Sequence, residues 1–287
     1  MKLMKMITAR SPQQNQRGDL MAFYGCYFSF DGIPCTDYGL MMYDFGIKSD
    51  SSNDISVSME IVEDRIARRY SPLHYGTITN KPLEFTMTFG ADTDSIDKNV
   101  FLDRWDIDAI ASWLTAQDEY KWLEITQPDM ELFRYKCFIT DLKHVDVGGL
   151  PWGFTCTVRC DSPFAYRFPE VFELYVNGNA SIEILNKSSY RGFYKPKIDL
   201  SLVRGGTFSI QNITDGSRTM QFTALPTSVT NLSIDNENEI ITCNAISNPY
   251  QYFNFNFFRL CRGINHLVLN GNGTIKITCE FPINIGG

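Results

Sequence analysis

Hydrophobic and polar residues alternate with a period of two along most of this chain, so the sequence predicts a protein built mainly of half-buried strands. Residues 23–30 (FYGCYFSF) read as one strand, and Asp31-Gly32-Ile33-Pro34 supplies turn chemistry directly after it. Ile55, Val57, Met59 and Ile61 alternate with polar residues, as do Leu83, Phe85, Met87 and Phe89. Both sets predict half-buried strands. Between them, residues 65–81 mix polar, aromatic and proline residues without a period and read as a long loop that extends toward a partner. Further strands are expected at 120–125, 133–140 and 152–160, with Trp152, Phe154, Cys156 and Val158 on one face.

One segment breaks the period. Residues 97–117 place Leu102, Trp105, Ala109 and Trp113 on one helical stripe, joined by Phe101, Ile110 and Leu114, with acidic residues on the other face. Ser95 or Asp97 is the expected cap. Both tryptophans are read as core, given the area each buries. Asp103, Asp106 and Asp108 are read as a solvated face, because amphipathicity alone accounts for them.

The alternation changes character at Cys160-Asp161-Ser162-Pro163-Phe164-Ala165-Tyr166, followed by Arg167-Phe168-Pro169. Each proline lacks a backbone donor and pushes its predecessor toward extended geometry, so a regular sheet is not expected to run through Ser162-Pro163 or Phe168-Pro169. This divides the chain into a first unit at 21–165 and a second at 166–287, with Ser162, Pro163 and Pro169 as the interdomain hinge. Residues 1–20 read as a flexible extension, or as lying upstream of a start at Met21. Beyond Pro169 the pattern is all strands and turns. Asn177-Gly178, Asp215-Gly216, Asn270-Gly271 and Asn272-Gly273 are hairpin signals. Alternation is clear in Ile198/Leu200/Leu202, Phe253/Phe255/Phe257 and Ile275/Ile277/Cys279/Phe281, and it predicts a two-sheet sandwich. The fold class is therefore mainly β: an α+β first domain with antiparallel sheets and one helix, then a β-sandwich.

Charge and chemistry narrow the function. A formal charge of -7 without a basic stripe argues against general nucleic-acid binding. No segment is long and apolar enough to span a bilayer, so no membrane insertion is expected. The eight cysteines form no CxxC pair and only His74, His144 and His266 accompany them, so no metal site is expected. No nucleophile motif, phosphate loop or zinc helix stands out, and the reading is of a non-enzyme without cofactors or catalytic residues. A carbohydrate-binding adhesion module, contacting host cell-wall polysaccharide, is the alternative. All four tryptophans precede the boundary, so such a module would have to stack sugars on Tyr190, Tyr194, Tyr250 and Tyr252, residues that equally serve protein contacts.

Taken in order, several motifs resemble the distal tail proteins of long-tailed siphophages: Phe28-Ser29-Phe30-Asp31-Gly32 with Asp37-Tyr38-Gly39-Leu40, the Ile110 to Leu114 segment followed by Tyr120 to Leu123, and Cys160 to Ala165. Phe258-Arg259-Leu260, Gly263-Ile264-Asn265 and Ile275 to Pro282 extend the similarity to the end of the chain. The resemblance implies that residues 21–165 carry a protruding loop or hairpin and associate into a homo-hexameric ring continuing the tail tube. It implies a galectin-like second domain outside the ring, to which receptor-binding proteins and a tail-associated lysin or hub protein attach. Assembly would occur in the bacterial host cytoplasm and the product would lie at the distal end of the virion tail. DNA would pass through the ring without specific binding. The aromatic edge-like strand places the expected oligomer contacts at Phe23, Tyr24, Tyr27 and Phe28.

Overall fold

The computed structural model describes residues 27–43, 59–79, 82–92, 101–126 and 133–284. It is mostly β, every strand pair is antiparallel, and the described residues hold a single α-helix. The first half runs through β1 (Tyr27–Phe30), β2 (Ile33–Pro34), β3 (Leu40–Met42), β4 (Met59–Asp64), β5 (Leu73–Thr79), β6 (Glu84–Ala91), helix α1 (Arg104–Thr115), β7 (Lys121–Thr126), β8 (Phe133–Val147) and β9 (Leu150–Cys160).

The main sheet has the order β2-β1-β7-β8-β9-β6-β3. Its inner face follows the period of two. Phe85, Met87 and Phe89 of β6 lie opposite Val158, Cys156 and Phe154 of β9, and all six are buried. Phe28, Phe30, Leu123 and Tyr135 complete this core. Cys137, Cys156 and Cys160 also line it, and burial raises all three thiols, Cys156 and Cys160 to about 12.

Helix α1 covers this face and is shorter than the 97–117 expected. Its start is set by a capping box: the Asp103 carboxylate accepts from the backbone N–H of Trp105 (2.7 Å) and Asp106 (2.8 Å), while the Asp106 carboxylate accepts from the Asp103 N–H (3.0 Å). The expected caps Ser95 and Asp97 lie outside the described residues. Ile110 and Leu114 are buried, with Ile107 and Trp113 packed beside them. Trp113 sits between Tyr38 (ring centroids 4.6 Å) and Phe28 (5.8 Å), and its indole N–H donates to the Phe30 carbonyl at 3.2 Å. Trp105 is not core: it is 81% exposed. At 100° per residue it lies about 140° round the helix from Ile110, on the outward face.

The expected loop at 65–81 is also corrected. Leu73–Thr79 is a strand paired with Met59–Asp64, in a two-stranded sheet of its own. Ile61 is 60% exposed where a half-buried strand was expected, and Ile55 and Val57 lie outside the described residues.

The second half contains β10 (Ala165–Arg167), β11 (Glu170–Asn186), β12 (Lys197–Leu202), β13 (Phe208–Asn212), β14 (Arg218–Phe222), β15 (Asn231–Asp235), β16 (Ile240–Cys243), β17 (Gly263–Cys279) and β18 (Pro282–Ile283). β11 and β17 pair along their whole length, from Glu170 opposite Cys279 to Asn186 opposite Gly263. The other edge of β17 holds β12 along one half and β13 along the other. The result is one seven-stranded sheet whose two parts share β11 and β17 and bury one core, including Ile198, Leu200, Ile210, Phe222, Ile234, Leu269 and Ile275.

That arrangement overturns three of the four turn expectations. Asn177-Gly178, Asn270-Gly271 and Asn272-Gly273 lie inside β11 and β17, with Gly178 opposite Gly271. Gly271 is there for space: a Cβ would stand 2.3 Å from the Phe208 ring, and one on Gly273 would stand 2.4 Å from the Ser201 carbonyl. Asp215-Gly216 does lie in the turn between β13 and β14. Phe253, Phe255 and Phe257 form no strand. Phe253 is buried, Phe255 is exposed with φ 57°, and the rings of both Phe255 and Phe257 lie against Phe253.

Candidate assembly interface

The β4–β5 ribbon is an arm. Its strands pair from Met59 opposite Thr79 to Asp64 opposite Leu73, with a bulge between Val62 and Glu63. At the tip, Arg68 adopts φ 68° and the Arg69 N–H donates to the Ile66 carbonyl at 3.1 Å. A two-stranded hairpin is marginal in water without something to pack on. Here neither strand pairs with any third strand among the described residues. Ile61, Ile66, Tyr70 and Tyr75 are all exposed, Tyr70 completely. Exposed apolar side chains of this size, spread along one unpaired ribbon, make it a candidate contact surface.

A second unpartnered surface is the outward face of α1. Trp105, Asp108 and Ser112 follow one another there at i, i+3 and i+7, and all are exposed, as is Ala109 beside them. An open cavity of about 320 Å³ lies alongside, lined by Asp37, Asp92, Asp106, Ala109 and Ile110 among others.

The two halves of the chain meet in a braced passage. β10 pairs with β8 on one side and β18 on the other: Tyr166 stands opposite both Arg134 and Pro282. The chain therefore crosses between the halves twice, and Ile283, near its end, is part of the first core. Arg134 joins Glu280 at 2.5 Å and lies 3.7 Å over the Trp122 ring, with only 11% of its side chain exposed. A cation this well desolvated needs both contacts.

Asp161 lies within the same passage, where it accepts from the Tyr166 hydroxyl (3.0 and 3.1 Å). Burial raises its carboxyl above the ordinary 3.8, against the lowering effect of the Tyr166 and Ser162 hydrogen bonds. A carboxyl raised in the folded state favours folding at low pH, and that contribution is lost as pH rises through the raised value. Asp161→Asn keeps an acceptor for Tyr166 and has no charge to desolvate. The parent should therefore lose stability relative to the variant as pH rises from acid to neutral, read from thermal melts of the two proteins across that range. An identical pH profile would contradict the buried charge.

A family model described as the phage tail protein N-terminal domain matches residues 23–162, and one described as the phage tail C-terminal domain matches residues 164–279. The chain belongs to this phage tail protein family. Its fold is that of the distal tail protein Dit of phage SPP1, a paradigm of the hub adsorption apparatus in phages infecting Gram-positive hosts. The match has a TM-score of 0.60 at 16% identity over 89% of this chain and 98% of that one. A chain of the phage p2 baseplate, in its calcium-activated conformation, matches with a TM-score of 0.50 at 8% identity over 89% and 99%. No match to a curated protein was found.

In this tail protein the residues singled out from sequence do not gather into one site. Phe23 and Tyr24 lie outside the described residues. Phe28 is 1% exposed and faces the core, so its side chain is unavailable to a neighbouring subunit; Tyr27 is half-buried against the same core. β1 is flanked by β7 along its whole length and by β2 at Ser29 and Phe30. Ser162, Pro163 and Pro169 flank β10, and the Ser162 hydroxyl lies 2.9 Å from that of Tyr166. Tyr190 is exposed and meets Phe164 edge-on, whereas the Tyr194 hydroxyl accepts from the Glu280 N–H at 2.7 Å and its ring packs on Phe281. Tyr250 donates to the Glu239 carbonyl and accepts from the Ile241 N–H, and both Tyr250 and Tyr252 pack on the second core. Three of the four thus make contacts within the second domain. The surface residues that sequence reasoning missed are Ile61, Tyr70, Tyr75 and Trp105. For the arm, the available signal was the alternation in Leu73, Tyr75, Thr77 and Thr79 against His74, Gly76 and Ile78, obscured by its mixed polarity.

Proposed function

We propose that this phage tail protein is the distal tail hub: six copies form a ring that continues the tail tube and carries the adhesion apparatus. The observation that carries the reading is the β4–β5 arm, which exposes Ile61, Ile66, Tyr70 and Tyr75 and pairs with no other strand of its own chain among the described residues. Such a surface is built for a neighbour. A head-to-tail contact between unlike surfaces closes into a ring when its rotation divides the circle. The fold shared with the SPP1 hub protein supports the same reading. In this proposal residues 21–165 form the ring and residues 166–287 form a galectin-like outer domain. Receptor-binding proteins and a tail-associated lysin attach there, and the junction braced by Arg134, Glu280 and Ile283 holds the outer domain at a fixed angle. The acidic balance of -7 suits a conduit, because a like-charged wall does not retain passing DNA. Negative-stain class averages of the full chain should show a six-fold ring with a central opening; particles without rotational symmetry would contradict it.

A further inference from the structure

We propose that, within the ring read above, the tip of the β4–β5 arm of one copy seats on the outward face of α1 of the next. Arg68 and Arg69 then lie against the acidic rim of that face and Tyr70 lies against Trp105. The inference rests on the ring reading and adds to it a specific pair of surfaces.

The two surfaces are complementary in both shape and charge. The face of α1 centres on an indole that is 81% exposed, flanked by the small residues Ala109 and Ser112, so the ring stands clear of its neighbours. Asp103 and Asp106, joined in the capping box, and Asp108 lie around it beside the helix's single basic residue, Arg104, and Asp37 and Asp92 line the cavity alongside. The arm tip is its counterpart. Between Asp64 and Leu73 it carries Arg65, Arg68 and Arg69 with no acid, and it presents Ile66 and the fully exposed Tyr70. Arg65 has a partner in Glu63 at 3.6 Å, whereas Arg68 and Arg69 make no ion pair among the described residues and are the reaching cations.

Arginine and aromatic side chains are the residues that most often anchor interfaces, and complementary potentials fix which surfaces meet. This chain already uses the pairing internally: Arg134 lies 3.7 Å over Trp122 and Arg259 lies 3.6 Å over Phe193. A second copy is the occupant the structure supports, because a basic aromatic tip and an acidic aromatic face on one chain make a heterologous contact, the kind a cyclic assembly requires. Among the described residues of one copy, by contrast, β4 and β5 pair only with each other.

The test uses the full chain with a photoreactive benzoylphenylalanine in place of Tyr70, prepared as an equal mixture of isotopically heavy and light protein and irradiated as assembled rings. Cross-links from position 70 of one isotope to the Arg104–Thr115 peptide of the other are expected. In parallel, Trp105→Ala should raise the concentration at which rings dissociate by about tenfold or more while leaving the monomer's melting temperature unchanged. Rings that cross-link elsewhere, or that are indifferent to Trp105→Ala, overturn the docking and leave the hub reading standing. A chain that never assembles overturns the hub reading, and this inference with it.

Discussion

Replacing Trp113 by alanine should cost about 3 kcal/mol of stability, the lower end for removing a tryptophan from a core. The indole holds α1 in place through Tyr38 on one face, Phe28 on the other, the Phe30 ring at its edge, and a hydrogen bond from its N–H to the Phe30 carbonyl. Truncation leaves a cavity between those rings and removes the hydrogen bond to the Phe30 carbonyl. At roughly 2–4 °C per kcal/mol for domains of this size, the melting temperature should fall by about 6–12 °C. Trp105→Ala on the same helix should leave the monomer's melting temperature unchanged, because in the monomer that side chain meets solvent. Differential scanning fluorimetry of the two variants separates a helix held by one tryptophan from one held by both, and equal losses would contradict the packing.

Shortening the arm should have the larger effect on assembly. Glu60 stands directly opposite Ile78, so residues 61–77 can be replaced by Asn-Gly, whose type I′ turn joins facing strands without splaying them. Among the residues whose side chains are described, none from 61 to 76 belongs to either core. The shortened protein should melt within a few degrees of the parent, yet remain monomeric at concentrations where the parent forms rings. Size-exclusion chromatography with light scattering reads both states. A shortened chain that still assembles would move the interface elsewhere, and one that unfolds would show that the arm is part of the fold.

The period of two located most of this protein. It identified β6, β9 and β12, whose inward residues are buried as expected, because strands with one face on a core must alternate. Where it failed, the failures share a physical origin. Asn-Gly pairs signal turns because both residues tolerate positive φ, but the same freedom lets two long strands pass close beneath Phe208 and the β12 backbone, as at Gly271 and Gly273. The helical stripe containing Trp105 and Trp113 merged two faces, since residues eight apart drift about 80° on a helix of 3.6 residues per turn. Phe253, Phe255 and Phe257 alternate in sequence but gather around one buried ring outside any strand. The brace between the halves was illegible for another reason. It depends on Ile283 and Glu280 returning to residues more than a hundred positions earlier, and local pattern carries no record of that return. The passage at Cys160 to Pro169 thus reads as a double crossing rather than a single-stranded hinge. A cut there would strip Ile283 from the first core.

The candidate interface was the least legible part. Side chains that wait for a partner look, in sequence, like either core or solvent: Trp105 passed for core and Tyr70 for loop. Only their placement outside both cores distinguishes them.

The central claim is a ring closed by surfaces that a single chain leaves uncovered. Mass photometry of the full-length protein tests it most directly. A dominant species near six times the 32.8 kDa of one chain is expected at micromolar concentration. A single population at 32.8 kDa under those conditions would contradict the account.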